Sequence, residues 1–204
     1  MSRKLRIGVD MDGCVCNFAD ASSKVIKYIW NLDLKREDIK VPRTVDIVYY
    51  DLFTDEQRAL YPGGPRDLYS LICPREFFYK LDPFEGAIET LKMLCEKYDV
   101  TIITKPLEWV NCPSEKARWL KKYLPDSKYE LIMTGSMEVK GLIEVDIMID
   151  DDTRVIKSLD GTVPIVVRQP WNEEYLKLEA DYAVDNFSEV PAIIDEVLES
   201  IWLY

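Results

Sequence analysis

Short β-branched and aliphatic runs recur along the chain at Leu5–Val9, Val100–Ile103, Leu131–Met133, Ile147–Ile149 and Ile165–Val167, with a shorter one near Tyr182–Val184. Amphipathic stretches separate them. Glu85–Tyr98 carries Ala87, Leu91, Leu94 and Tyr98 at three- and four-residue steps, which predicts a helix with one buried face. Ser114–Tyr123 opens on a capping serine beside a proline and carries Ala117, Leu120 and Tyr123. Asp152 or Thr153 is placed to cap a helix running to Leu159, and Val190–Trp202 has Pro191 where a first helical turn accepts it. Strands alternating with helices predict an α/β fold built on a parallel sheet.

One segment breaks the alternation. From Phe18 to about Arg75 the chain shows Val25, Ile26, Ile29 and Trp30 at helical spacing, then a charged stretch, then Pro42, Val48-Tyr49-Tyr50 and Pro62-Gly63-Gly64-Pro65. This predicts a largely helical insertion after the first strand, folded over the end of the sheet; an insertion that only covers one sheet face is the alternative. There are no repeats and no low-complexity tracts.

Composition narrows the function classes. The chain has 204 residues, 48% hydrophobic and 31% charged, as in a globular protein with one sizeable core or one core plus a small insertion. Its formal net charge of −11 disfavours a long nucleic acid as partner, though a single nucleotide stays compatible if a metal and one or two lysines offset its charge. No apolar run approaches the roughly 20 residues of a membrane span. Met1-Ser2-Arg3-Lys4 leaves no room for a secretory signal before the first strand, and five scattered cysteines suit reduced thiols better than a disulfide framework. The expectation is a cytoplasmic protein. Cys14-Val15-Cys16 has no second ligand pair and so does not read as zinc-binding. Histidine is absent, so acid–base work falls to carboxylate, lysine, cysteine or tyrosine.

The candidate chemistry lies at the strand ends, where open parallel sheets bind ligands. The first strand ends in Asp10-Met11-Asp12-Gly13, two acids that strand geometry can point to one side. Acids so close repel unless a cation or a shared proton intervenes, and oxygen ligands suit a hard cation such as Mg2+. The second strand ends at Thr104-Lys105, the fourth at Asp150-Asp151-Asp152, and Lys140 lies shortly before the fourth. This inventory fits phosphoryl transfer: one carboxylate to attack phosphorus, a second to move protons, a hydroxyl and a lysine to hold oxygens, and a metal to offset charge.

Asp10-Met11-Asp12-Gly13, Thr104, Lys140 and Asp150-Asp151 resemble, in order, the four motifs of the haloacid dehalogenase-like (HAD) phosphatases. Phe18, Phe77-Phe78 through Leu81, Pro83-Phe84-Glu85-Gly86-Ala87, Ile102-Ile103-Thr104-Lys105-Pro106 and Cys112-Pro113-Ser114-Glu115-Lys116 with Trp119 bring the resemblance closest to the 5′(3′)-deoxyribonucleotidases. The resemblance implies a Rossmann-like parallel sheet flanked by helices, residues 1–17 and 76–204 forming the catalytic core and 18–75 a small helical cap. It implies a Mg2+-dependent phosphomonoesterase acting on nucleoside monophosphates through an aspartyl phosphate. Asp10 would be the nucleophile and Asp12 the general acid and base. Asp10, Asp12 (through its backbone carbonyl) and Asp150 would hold Mg2+, with Asp151 supporting them. Thr104 and Lys140 would bind the phosphoryl group. Phe18 matches a family position that packs on the base; Tyr49, Tyr50 and Lys105 are further substrate-binding candidates. The partner would be a small phosphate ester, with no membrane and no long nucleic acid, and pairing into a homodimer stays open. The chain departs from its relatives at Lys105, often a small hydroxyl residue there, and at Asp152 and Glu138, near positions often held by arginine. A phosphatase for another small ester and a non-catalytic binding protein are the competing expectations.

Overall fold

A computed structural model describes residues 3–41, 44–107 and 111–202. Six strands form one parallel sheet: β1 (Arg6–Val9), β2 (Asp99–Thr104), β3 (Glu130–Met133), β4 (Ile147–Asp150), β5 (Val163–Val167) and β6 (Ala183–Val184). Their order is β3-β2-β1-β4-β5-β6, with β1 central. The chain builds outward from β1 in one direction and then restarts at β4 in the other, so the strand order reverses between β1 and β4. Crevices that open at such reversals are where Rossmann-like sheets bind ligands.

Helices α1 (Phe18–Trp30), α2 (Thr44–Ile47), α3 (Asp55–Ala59) and α4 (Pro65–Ile72) lie between β1 and β2, ahead of α5 (Ala87–Lys97). Then come α6 (Cys112–Tyr123), α7 (Met137–Lys140), α8 (Thr153–Ser158), α9 (Glu173–Glu179) and α10 (Val190–Trp202). The irregular stretch of the sequence is thus helical, ending in a π-helical turn at Val48–Leu52 and two short helices. Among the described residues no helix is long and apolar enough to cross a membrane.

Strand residues alternate between two apolar layers, as their period of two requires. Ile7, Val9, Ile102, Ile147, Ile149 and Ile165 join Leu91 and Leu94 of α5, Trp119 and Leu120 of α6 and Ile194 and Val197 of α10 in the main core. Ile103 and Met148 face the other way, onto Val145 and Val155. Gly8 stands between them in the central strand, where a Cβ would lie 2.6 Å from Met148 Sδ and 2.9 Å from Ile103 Cδ1. Close approach of the two side chains requires glycine there.

The helix expected at Ser114–Tyr123 forms but turns a different face inward. Cys112, Glu115, Lys116, Trp119 and Leu120 are buried, while Ala117 and Tyr123 are only partly covered. Two charged residues lie in this stripe because both are fully engaged. Glu115 accepts the backbone N–H groups of Glu76 (2.6 Å) and Phe78 (3.0 Å), and Lys116 reaches the sheet edge. Of the two possible caps for α8, Asp152 takes the role, accepting from the Arg154 amide at 2.9 Å. All five thiols are free and buried.

Candidate active site

Because β2, β1 and β4 are adjacent and parallel, their carboxyl ends bring Thr104, Asp10 and Asp150 to one edge. The Asp10 amide continues the ladder to Ile149 O (3.0 Å), which holds its side chain at the β1–β4 reversal. The chain then folds back on itself: the amides of Val15 and Cys16 both donate to Met11 O at 2.9 Å. Gly13, at φ +80°, makes this turn, and a Cβ there would stand 2.6 Å from Asp151 Oδ2. Positive φ and contact with a carboxylate both exclude a side chain at that point.

Two buried lysines organise the edge. Lys140 Nζ lies 2.7 Å from Asp10 Oδ1 and 2.6 Å from Asp150 Oδ2. Lys116 Nζ donates to Asp12 Oδ2 and to Thr104 Oγ1, both at 2.6 Å. Asp150 Oδ1 accepts the Asp152 amide at 2.8 Å. Asp151 Oδ2 accepts the Trp171 indole N–H at 2.7 Å, and the Cys14 thiol stands 3.8 Å from its other oxygen.

Burial dominates the electrostatics. It raises the pKa of Asp10 above the usual carboxylate range despite Lys140, and that of Asp151 well above it, with Asp150 and Asp10 adding to the effect. Asp150 is pushed up to about 7 by burial, against the opposing pull of Lys140. Burial works against both ammonium groups, yet Asp10 and Asp150 keep Lys140, and Asp12 keeps Lys116, above the ordinary lysine value. Four carboxylates (Asp10, Asp12, Asp150, Asp151) face two ammonium groups, so full ionisation would leave two negative charges uncompensated, and the raised pKa values show that protons offset that charge when no cation is bound. One divalent cation would also supply that charge, and the oxygen donors suit a hard ion. Among the described residues, the one group of three acid and thiol atoms lying within 4.8 Å of one another comes from Asp10, Cys14 and Asp151. Of the ligands expected from sequence, Asp10 and Asp150 by carboxylate and Asp12 by its backbone carbonyl, the Asp10 and Asp150 carboxylates meet at Lys140 Nζ, 2.7 and 2.6 Å away. Asp12 turns its carboxylate to Lys116, and the oxygens of Asp150 face Lys140 and the Asp152 amide.

A pocket opens directly over Asp10 and Asp12. Phe18, Tyr69, Phe78, Leu107 and Trp171 form its apolar wall, and Thr104, Lys105, Asp151, Asp152 and Arg154 its polar rim. Phe18 stacks on Phe78 with ring centroids 5.9 Å apart. Thus Asp10, Asp12, Thr104, Lys105, Asp151 and Phe18 reach the pocket, with Lys140 and Asp150 immediately behind Asp10. Tyr49 and Tyr50 do not line it. They sit in the π-helical turn, edge-to-face with each other at 5.1 Å, their carbonyls accepting from Arg58, and Tyr50 is exposed. Sequence reasoning gave Lys116, Tyr69, Arg154 and Trp171 no role. A lysine within the apolar stripe of a helix was the available signal for the first. Arg154 changes the meaning of Asp152, which it grips through Nε at 2.9 Å and through its terminal nitrogen. The acid at the rim is therefore neutralised, and a guanidinium faces the pocket after all.

The sequence model of the family described as 5′ nucleotidase, deoxy (pyrimidine), cytosolic type C protein (NT5C) matches residues 3–199. A mitochondrial 5′(3′)-deoxyribonucleotidase of Mus musculus is 30% identical over 158 residues, covering 74% of this chain but only 66% of that protein, so the match spans less than two thirds of its length. The 5′(3′)-deoxyribonucleotidase of Bacillus subtilis is 28% identical over 161 residues, covering 76% of this chain and 80% of its own. Among solved structures, a haloacid dehalogenase-like hydrolase from Streptococcus pneumoniae superposes with a TM-score of 0.65 at 14% identity, covering 95% of this chain and all of that one, a likeness of fold. With the family match spanning nearly the whole chain, this protein belongs to the NT5C family and has the HAD-like fold.

Proposed function

We propose that the protein is a phosphomonoesterase acting on nucleoside monophosphates, with 5′(3′)-deoxyribonucleotides as the favoured class. The observation that carries this reading is Asp10: a buried carboxylate at the floor of an aromatic-walled pocket, held by Lys140 and one residue from an acid with its own lysine. In the first half-reaction an Asp10 oxygen bonds to phosphorus as the ester P–O bond breaks, and Asp12 gives its proton to the leaving alcohol. In the second, Asp12 takes a proton from water, the water oxygen bonds to phosphorus, and the bond to Asp10 breaks to release phosphate. Lys140 orients Asp10, and Lys116 fixes Asp12 and the Thr104 hydroxyl, which is placed to hold a phosphoryl oxygen. Asp10, Asp150 and the Asp12 backbone carbonyl, with Asp151 in support, would hold Mg2+, which would offset charge on the phosphoryl group. The helical segment, residues 18–75, serves as the cap: Phe18, Ala19 and Tyr69 from it close the pocket over the core, and stacking on Phe18 and Phe78 suits a planar base.

The test is a phosphate-release assay across 3′- and 5′-deoxyribonucleotides, ribonucleotides and sugar phosphates, with and without EDTA. Release that favours deoxyribonucleotides, stops in EDTA and returns with Mg2+ is expected. Preference for sugar phosphates would leave the fold and the chemistry but reject the nucleotide assignment, and full activity in EDTA would reject the metal.

A further inference from the structure

Gln169 and Trp171, in the loop between β5 and α9, each touch both halves of the molecule. The Gln169 side chain is buried. Its Nε2 donates to Gly13 O at 2.7 Å, and its Oε1 accepts from the Arg36 guanidinium at 2.6 Å. A primary amide has one acceptor end and one donor end, and a carbonyl on one side and a guanidinium on the other leave it a single orientation. Trp171 repeats the arrangement with different chemistry. Its N–H donates to Asp151, while its ring packs against Ala19, Ile39 and Ile47 of the helical segment. The loop itself is tied to the core. Asn172 donates to Val167 O (2.8 Å) and to Asp151 O (3.0 Å) and accepts the Gln169 amide at 2.9 Å.

One polar and one apolar connection therefore run in parallel from residues 19–47 to the catalytic edge. Gln169 on Gly13 is thus joined to Arg36, and Trp171 on Asp151 to Ala19, Ile39 and Ile47. A glutamine and a tryptophan are poor choices for merely filling space here, since each brings a polar group that must be satisfied when buried. Both are satisfied by bridging.

We infer that the Gln169–Asn172 loop is a latch: Gln169 and Trp171 are positioning residues that make the placement of Asp151 and of the Gly13 turn conditional on the cap being seated. The inference rests on the reading of this edge as a cation-binding phosphatase site and of residues 18–75 as its cap. Coupling of this kind is reciprocal, so a cation bound at the edge must also hold the cap down by the same factor.

Arg36→Met is the decisive variant, because Arg36 touches no carboxylate of the site. Mg2+ affinity is read by calorimetry, and amide hydrogen exchange over residues 34–40 and 168–173 by mass spectrometry. Arg36→Met is expected to weaken Mg2+ binding by about tenfold, the usual effect of losing support behind a ligand, and to speed exchange in both segments. Trp171→Phe keeps a ring on the apolar patch and removes the N–H from Asp151. It is expected to weaken Mg2+ comparably with exchange over 34–40 nearly unchanged. In the unaltered protein Mg2+ should slow exchange over 34–40, and in Trp171→Phe this protection should shrink. Arg36→Met with unchanged Mg2+ affinity, or Mg2+ that protects nothing in the cap, would overturn the latch. If the unaltered protein binds no Mg2+, the site reading fails instead, and exchange alone then judges the latch: residues 168–173 deprotected in Arg36→Met support it, and unchanged exchange there refutes it.

Discussion

At the scale of single residues, the site is built from acids whose burial is offset by a lysine, a hydrogen-bond donor or a retained proton. Asp10→Asn keeps the shape and removes one buried negative charge. Phosphate release should fall on the order of a thousandfold or more, while urea denaturation without Mg2+ should show no loss of stability, because Lys140 still pairs with Asp150. Lys116→Met removes the group that fixes both Asp12 and Thr104. The cost should be about 2 kcal/mol, below that of breaking a fully buried pair, because the Asp12 side chain is 30% exposed and water can reach it. Activity should drop mainly in kcat if Asp12 acts on the bond being broken, as proposed, and steady-state kinetics at saturating Mg2+ separates the two effects. Gly13→Ala forces a Cβ onto Asp151 at positive φ. Weakened Mg2+ binding in calorimetry is the expected result.

At the scale of elements, α6 is the piece that joins the site to the chain returning from the insertion. Lys116 faces Asp12, and its neighbour Glu115 holds the returning chain by the amides of Glu76 and Phe78. Glu76 has φ +69°, unusual for a residue with a side chain, and the carboxylate accepting its N–H helps hold that backbone in place. Glu115→Ala leaves two largely covered amides without their acceptor and should cost about 3 kcal/mol, measured by urea unfolding. Periodicity alone made α6 legible as a helix but placed its buried face on Ala117, Leu120 and Tyr123. An apolar count assigns Glu115 and Lys116 to solvent, and only their partners just past β1, on β2 and in the 74–80 stretch explain why they turn inward. The strands were easier to read, because a short aliphatic run between helices has few alternatives in an α/β chain. Tyr49 and Tyr50 were drawn to the pocket by residue type; the π-helical turn that carries them faces Arg58 instead.

For the whole molecule, the consequence of gathering acids at one edge is a stability that depends on pH and on the proposed cation. Asp150 has a folded pKa of about 7 against an ordinary value of 3.8, raised mainly by burial, and Asp10 and Asp151 are shifted in the same direction. A raised folded pKa means the folded state holds its proton more tightly than the unfolded chain. The contribution of these groups is complete below the ordinary value and is lost as the pH rises through about 7. The metal-free protein should therefore lose thermal stability between about pH 5 and about pH 8. Mg2+, which competes with those protons, should raise the melting temperature more at the upper end. Thermal melts at both pH values with and without Mg2+ check this; an equal Mg2+ effect at both would contradict it.

The sequence by itself determined the alternation of strands and helices and, through it, which residues fall just past strands β1, β2 and β4. Those properties follow from local chain geometry, so Asp10, Asp12, Thr104 and Asp150 could be named without coordinates. Tertiary structure alone decided which groups meet. Lys116 on Asp12, Arg154 on Asp152, Trp171 on Asp151 and Gln169 between Arg36 and Gly13 pair groups that, apart from Arg154 and Asp152, lie 20 or more positions apart along the chain. Such pairs arise from how helices and loops lie across the finished sheet, and no local pattern of hydrophobic and polar positions records that distance.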